Sequence, residues 1–214
     1  MTRWGTAFRA AALAATLLAA GCALFTKSEP NVFRFFTPEG FEPVPEVAPR
    51  GEAAPLLNLQ LRLGRVNGAE YLKDRIAYRD SSFEVGYYDQ ARWTEKPETY
   101  VKHALARALF ERRGVREIVS GPGPALEIEL EAFEEVRAPR HAVRIALTWI
   151  LRDDRVVQIR ETFAIERALS PGPTSTGSEV ASALSIALDE AVNRISNRVT
   201  AALSSAPEGR ETKG

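Results

Sequence analysis

Cysteine is nearly absent from this 214-residue chain: Cys22 is the only one. A single thiol excludes an intramolecular disulfide framework and a cysteine-built zinc cluster. Histidine is almost as scarce, with only His103 and His141, which leaves little for a histidine-rich metal site. Net charge is missing too, because 28 Lys and Arg balance 28 Asp and Glu. That balance argues against a nucleic-acid partner, which needs a basic face to replace phosphate counterions. No G-x-x-x-x-G-K-[ST] run is present, so the chain is not itself an ATPase. No G-x-S-x-G elbow presents a serine nucleophile. Gly121-Pro122-Gly123-Pro124 is glycine-rich, but proline lacks the N–H that a phosphate cradle requires. With 45% apolar and 26% charged residues, what remains is ordinary globular composition and length for one domain.

The N-terminus reads as an address. Arg3 and Arg9 precede an unbroken run of Ala, Leu and Thr over residues 10–20, with no acid before Cys22. A spanning helix needs about 20 apolar residues, so this shorter run predicts a signal peptide over 1–21. It ends Leu18-Ala19-Ala20-Gly21-Cys22. Small residues before a cysteine suit lipid modification of the thiol and cleavage in front of it, and the segment resembles the bacterial lipoprotein signal. The alternative is a plain secretory signal with Cys22 there by chance. Lipidation predicts a mature chain over 22–214 that has lost two arginines and no acid, for a net charge of −2. Ala23 rather than Asp follows the cysteine, which points to outer-membrane sorting.

A Pro-rich tether is expected over 22–55. It carries Pro30, Pro38, Pro43, Pro45, Pro49 and Pro55 and is broken by a strand-like patch, Val32-Phe33-Arg34-Phe35-Phe36-Thr37. Three phenylalanines are costly to leave in water, so the patch is expected to dock on the domain. The domain itself is expected over 56–205, with a disordered polar tail over 206–214.

Within the domain, Leu57, Leu59, Leu61 and Leu63 alternate with polar residues as a half-buried strand. Residues 75–79 and 83–88 read as a hairpin across Asp80-Ser81-Ser82. Pro97 opens a helix whose stripe is Val101, Ala104, Leu105, Ala108 and Leu109, and Gly114 ends it. Strand patterns over 126–136, 143–151 and 156–166 form an antiparallel meander, with Glu161 breaking the last apolar series. Thr176 and Glu179 have capping-box spacing before a final helix striped by Val180, Leu184, Ala187, Leu188, Ala191, Val192, Ile195 and Val199. Two helices are too few to cover both faces of a six-stranded sheet. The expected fold is α+β: a two-layer sandwich of a mostly antiparallel sheet with both helices on one face.

No group of residues carries chemistry by its spacing. Glu127, Glu129, Glu131, Glu134 and Glu135 could supply paired carboxylates. Period-two glutamates point the same way into water, however, and Arg144 and Arg160 on neighbouring strands offer cross-strand ion pairs, so a solvated face is expected. His103 and His141 are expected at the surface. Tyr87, Tyr88, Trp93 and Tyr100 are expected to seal the sheet–helix junction, with a partner or lipid contact as the alternatives.

Several short runs together resemble one family. They are Cys22 in its lipobox, Phe35-Phe36-Thr37, Arg75-Ile76-Ala77-Tyr78-Arg79, Glu84-Val85-Gly86-Tyr87-Tyr88, then Arg92-Trp93 and Pro97. In that order they resemble the ABC-type transport auxiliary lipoproteins, which include the paraquat-inducible protein C lipoproteins. Thr94-Glu95-Lys96 departs from the Ala-Glu-Pro common in that family. The resemblance implies a non-catalytic, membrane-anchored component with no cofactor beyond the lipid on Cys22. Its partners would be a mammalian-cell-entry (MCE) domain protein and an ABC permease and ATPase, and a homo-oligomer is possible. The cargo would be phospholipids or other hydrophobic compounds. The other readings are a structural or assembly lipoprotein and a lipid carrier independent of any transporter.

Overall fold

The computed structural model describes residues 32–38, 59–153, 156–169 and 176–205. The signal segment, Cys22, most of the tether, Leu57, the Pro171 loop and the 206–214 tail lie outside the described residues. The elements in order are β1 (Arg34–Phe36), β2 (Gln60–Gly68), β3 (Arg75–Arg79), β4 (Val85–Trp93) and α1 (Pro97–Ala106). They continue with a π-helical segment (Arg107–Arg112), β5 (Arg116–Glu117), β6 (Ala125–Val136), β7 (Ala142–Arg152), β8 (Val157–Ala168) and α2 (Gly177–Ser205). Among the described residues the fold is α+β, with two α-helices and one eight-stranded sheet. The six strands expected from alternation are present. The other two, β1 and β5, are three and two residues long.

β6 is the spine of the sheet. One of its edges pairs antiparallel with β7 from Ala125 to Val136, and β7 pairs antiparallel with β8. Its other edge is shared end to end. β2 runs parallel against residues 125–130, and β3 runs parallel against residues 134–136. β4 pairs antiparallel with β3, β1 pairs parallel with β4, and β5 pairs parallel with β2. The long pairings are therefore antiparallel and the short ones mostly parallel. The expected β1 patch lies on the edge of β4, with Phe36 opposite Trp93.

Alternation along the strands selects one buried face. Leu126, Ile128, Leu130 and Phe133 of β6 face the same way as Leu151, Trp149, Leu147 and Ile145 of β7, and all eight are buried. Both helices lie over this face. α1 contributes Val101, Ala104 and Leu105, and α2 contributes Val180, Leu184, Ala187, Leu188, Ala191, Val192, Ile195 and Val199. Trp93 packs edge-on against both Tyr100 and Phe133, with ring centroids 6.1 and 5.4 Å apart. α2 starts with the capping box that its sequence spacing predicts. The Thr176 N–H donates to Glu179 Oε2 at 2.8 Å, and the Glu179 N–H donates to Thr176 Oγ1 at 3.2 Å. α1 starts at Pro97 after Lys96, without a side-chain cap.

One irregularity in β6 governs the site described next. Leu130 pairs with Leu147 and Ala132 pairs with Ala146, which leaves Glu131 as an extra residue on β6. This bulge shifts the alternation by one position. Before it, the odd-numbered glutamates face away from the helices. After it, Phe133 and Glu135 face the helices and Glu134 faces away.

Candidate functional site

Neighbouring Glu134 and Glu135 point to opposite faces of the sheet, the bulge decides that Glu135 is the one facing the helices, and both are buried. This corrects the expectation of a uniformly solvated row. Glu129 and Glu131 are exposed, and Glu127 is half-buried and paired with Arg152 at 2.9 Å. Glu134 and Glu135 sit where β3, β4 and β6 converge, and the period-two pattern breaks just before them. Arg144 and Arg160 are not their bonded partners.

On the face away from the helices, Glu134 accepts hydrogen bonds from Arg79 Nε at 2.9 Å and Arg79 Nη2 at 3.2 Å. The Tyr71 hydroxyl donates to the same carboxylate at 2.9 Å. The forked arginine contact is the strong, two-bond form of this interaction. Burial, reinforced by the Glu134 charge, pushes the Tyr71 phenol well above its ordinary range. The Glu134 bond raises Arg79 further above its already high value.

On the helix face, Glu135 is held from three sides. The Tyr88 hydroxyl donates at 2.8 Å, Arg137 Nε at 2.9 Å, and His141 Nε2 lies 2.7 Å away. Burial alone would raise the Glu135 carboxyl, but the bonds from His141, Tyr88 and Arg137 outweigh it and hold the group below the ordinary carboxylate range. The Tyr88 phenol is pushed up to about 12 by burial and by its bond to Glu135. The Arg137 guanidinium lies over the Tyr78 ring, 3.4 Å from its centroid, and reaches Asp80 at 3.5 Å. Tyr78 in turn meets Tyr88 edge-on at 5.7 Å.

The sheet is thus clamped from both faces at one point. Tyr78, Arg79 and Tyr88 belong to the short runs singled out in the sequence. Their partners Glu134, Glu135, Arg137 and His141 come from the β6–β7 hairpin, about fifty residues away. His141 is not the surface residue expected from its turn. Its side chain is one-fifth exposed and bonded to a buried carboxylate. His103 is half-exposed on α1, 3.7 Å from Glu95.

The aromatic cluster divides. Trp93 and Tyr100 are buried between sheet and helices as expected. Tyr88 joins the Glu135 network. Tyr87 projects to the other face, where its hydroxyl donates to the Tyr71 carbonyl and Arg75 lies 5.2 Å from its ring. Gly121 and Gly123 take positive φ angles of 91° and 145° in the loop before β6, and Arg62 donates to the Gly121 carbonyl at 2.7 Å. Among the described residues no group of three or more His, Cys, Asp or Glu could hold a metal ion. No helix among them is long and apolar enough to cross a membrane.

A family model described as "ABC-type transport auxiliary lipoprotein component" matches residues 41–196. The chain is similar in fold to two crystal structures. One, of an uncharacterized protein, is 16% identical with a TM-score of 0.59, over 78% of this chain and 99% of that one. The other, of protein XCC0632 from Xanthomonas campestris, is 22% identical with a TM-score of 0.57, over 71% of this chain and 93% of that one. No curated protein matches the sequence.

Proposed function

The chain belongs to the ABC-type transport auxiliary lipoprotein component family, and from that premise we propose a non-catalytic, membrane-anchored role in moving hydrophobic compounds across the cell envelope. Acyl chains on Cys22 hold the protein to a membrane, the outer one given Ala23 in the following position. The α+β domain docks on a transport assembly made of an MCE-domain protein, a permease and an ATPase. The cargo is phospholipid or a similar amphiphile.

The observation that carries this reading is the family match from residue 41 to residue 196, which takes in β2 through most of α2. The clamp supports the non-catalytic part. Glu134 and Glu135 are each held by arginine and tyrosine, and the Tyr71 and Tyr88 phenols are shifted upward, away from neutral pH. Such groups hold a shape rather than exchange protons.

The test has two arms. Cys22→Ala is expected to release the protein from the membrane fraction and abolish transport while the domain folds normally. Full transport by that unlipidated form sinks the anchoring role. Affinity purification of the full chain from membranes is expected to recover a permease, an ATPase and an MCE-domain protein. Recovery of none of the three removes the transport reading and leaves an assembly lipoprotein or a free lipid carrier.

A further inference from the structure

At β1, the described strand closest in sequence to Cys22, the fold leaves two phenylalanines in water, Phe33 just before the strand and Phe35 within it. Phe33 and Phe35 are 48% and 65% exposed. Two positions apart on extended backbone, they lie on one face, the face away from the helices. Arg92 is in register with Phe35 and its guanidinium lies 4.8 Å from the Phe33 ring. Next in that row is Arg75, opposite Arg92. Arg92 and Arg75 are matched by Asp74 at 3.8 Å and Asp89 at 3.3 Å, so the patch is apolar with a nearly neutral polar rim.

The length of chain before the patch says what covers it. Phe33 stands eleven positions after Cys22, and eleven chain steps reach no farther than about 40 Å. Because β1 is hydrogen-bonded into the sheet, the rest of the Pro-rich segment cannot lengthen this leash. We infer that Phe33 and Phe35 seat the domain on the bilayer surface, with their rings at the headgroup–acyl boundary and Arg92 at headgroup level. This rests on the reading of Cys22 as the acylated residue. The leash keeps the patch at high effective concentration near the bilayer, and two phenyl rings suit the interface. The matched arginines and aspartates make the contact independent of anionic lipid.

The test uses the full mature chain, purified with its acyl chains and reconstituted in phosphatidylcholine vesicles carrying an acyl-chain spin label. Phe35→Trp reports the patch. Val119→Trp is the control, at an 87% exposed position beyond β5, the opposite end of the β1-to-β5 strand path. Trp93 and Trp149 are buried and form a constant background. The expected result is about a twofold loss of emission at position 35 and none at position 119. Equal quenching at both positions, or none at 35, overturns the seat. Quenching that appears only when phosphatidylglycerol is added marks an arginine–phosphate contact and also overturns it. Mass spectrometry of the same sample separates the two readings. A chain without acyl mass fails the Cys22 assignment and takes the seat with it, whereas an acylated chain without quenching fails the seat alone.

Discussion

His141 Nε2 lies 2.7 Å from Glu135 Oε1, and this contact ties the β6–β7 turn to a carboxylate that has no exposed surface. Glu135→Gln removes the charge that Arg137 and His141 face, and is expected to cost about 2–3 kcal/mol of stability. The pH dependence has a definite sign. A carboxyl held below its ordinary value of 4.5 stabilises the fold fully above that value. The contribution is lost as pH falls from there through the depressed folded-state value. Thermal melts between pH 6 and the acid limit are expected to fall more steeply for the parent than for Glu135→Gln below that ordinary value. Parallel curves would show that Glu135 is not held ionised.

The bulge at Glu131 yields a contrast between two single deletions. Removing Glu131 takes out the residue without a β7 partner. Leu130, Phe133 and Glu135 then keep their faces, so the chain is expected to fold with a loss of about 1–2 kcal/mol from the Thr148–Glu131 bond and local twist. Removing Glu129 turns Leu130 outward and Glu131 toward the helices. Losing one buried leucine and burying one charge is expected to cost about 4 kcal/mol or more. Urea denaturation of the two deletions decides it, and equal losses would place the bulge elsewhere.

The same bulge marks where the sequence stops being legible. Up to Leu130 the alternation gives the correct face for every β6 residue. Beyond it, Glu134 and Glu135 continue the look of a solvated acidic row while the backbone has already shifted register. Four of the six expected strands and both helices are readable from a periodic apolar stripe, while β3 and β4 are marked by the turn Asp80-Ser81-Ser82 between them. β5, with Arg116 and Glu117, has no stripe to read. Periodicity also gives a residue's face but not its neighbour strand, so the parallel seating of β2 and β3 on one edge of β6 is invisible locally. His141 reads as a surface residue for the same reason, since its bonded partner Glu135 comes with the shifted register.

Glu161 offers the opposite case from Glu135. It interrupts the apolar series Ile159, Phe163 and Ile165 on the helix face, and α2 answers it with Arg194 at 2.7 Å and Arg198 at 3.7 Å. These arginines are about half or more exposed, so the pair is worth under about 1 kcal/mol. Glu161→Leu is expected to change stability by no more than about 1 kcal/mol in either direction, because it restores the apolar series. A larger loss in chemical denaturation would show that the ion pairs position α2 on the sheet.

Gly86 shows how the clamp depends on a missing side chain. It sits directly across from Tyr78 in the β3–β4 ladder, and the Tyr78 ring occupies the space that a Cβ at position 86 would need. That ring is the surface on which Arg137 lies, 3.4 Å from its centroid, before Arg137 reaches Glu135. Gly86→Ala therefore pushes the ring, loosens Arg137 and strains the carboxylate behind it, at an expected cost of about 1–3 kcal/mol. With Tyr78→Ala the ring is gone and the alanine at 86 has room. The double variant is expected to be more stable than the two single losses predict, with a coupling above about 0.5 kcal/mol. Strict additivity would show that the Tyr78 ring does not rest on Gly86.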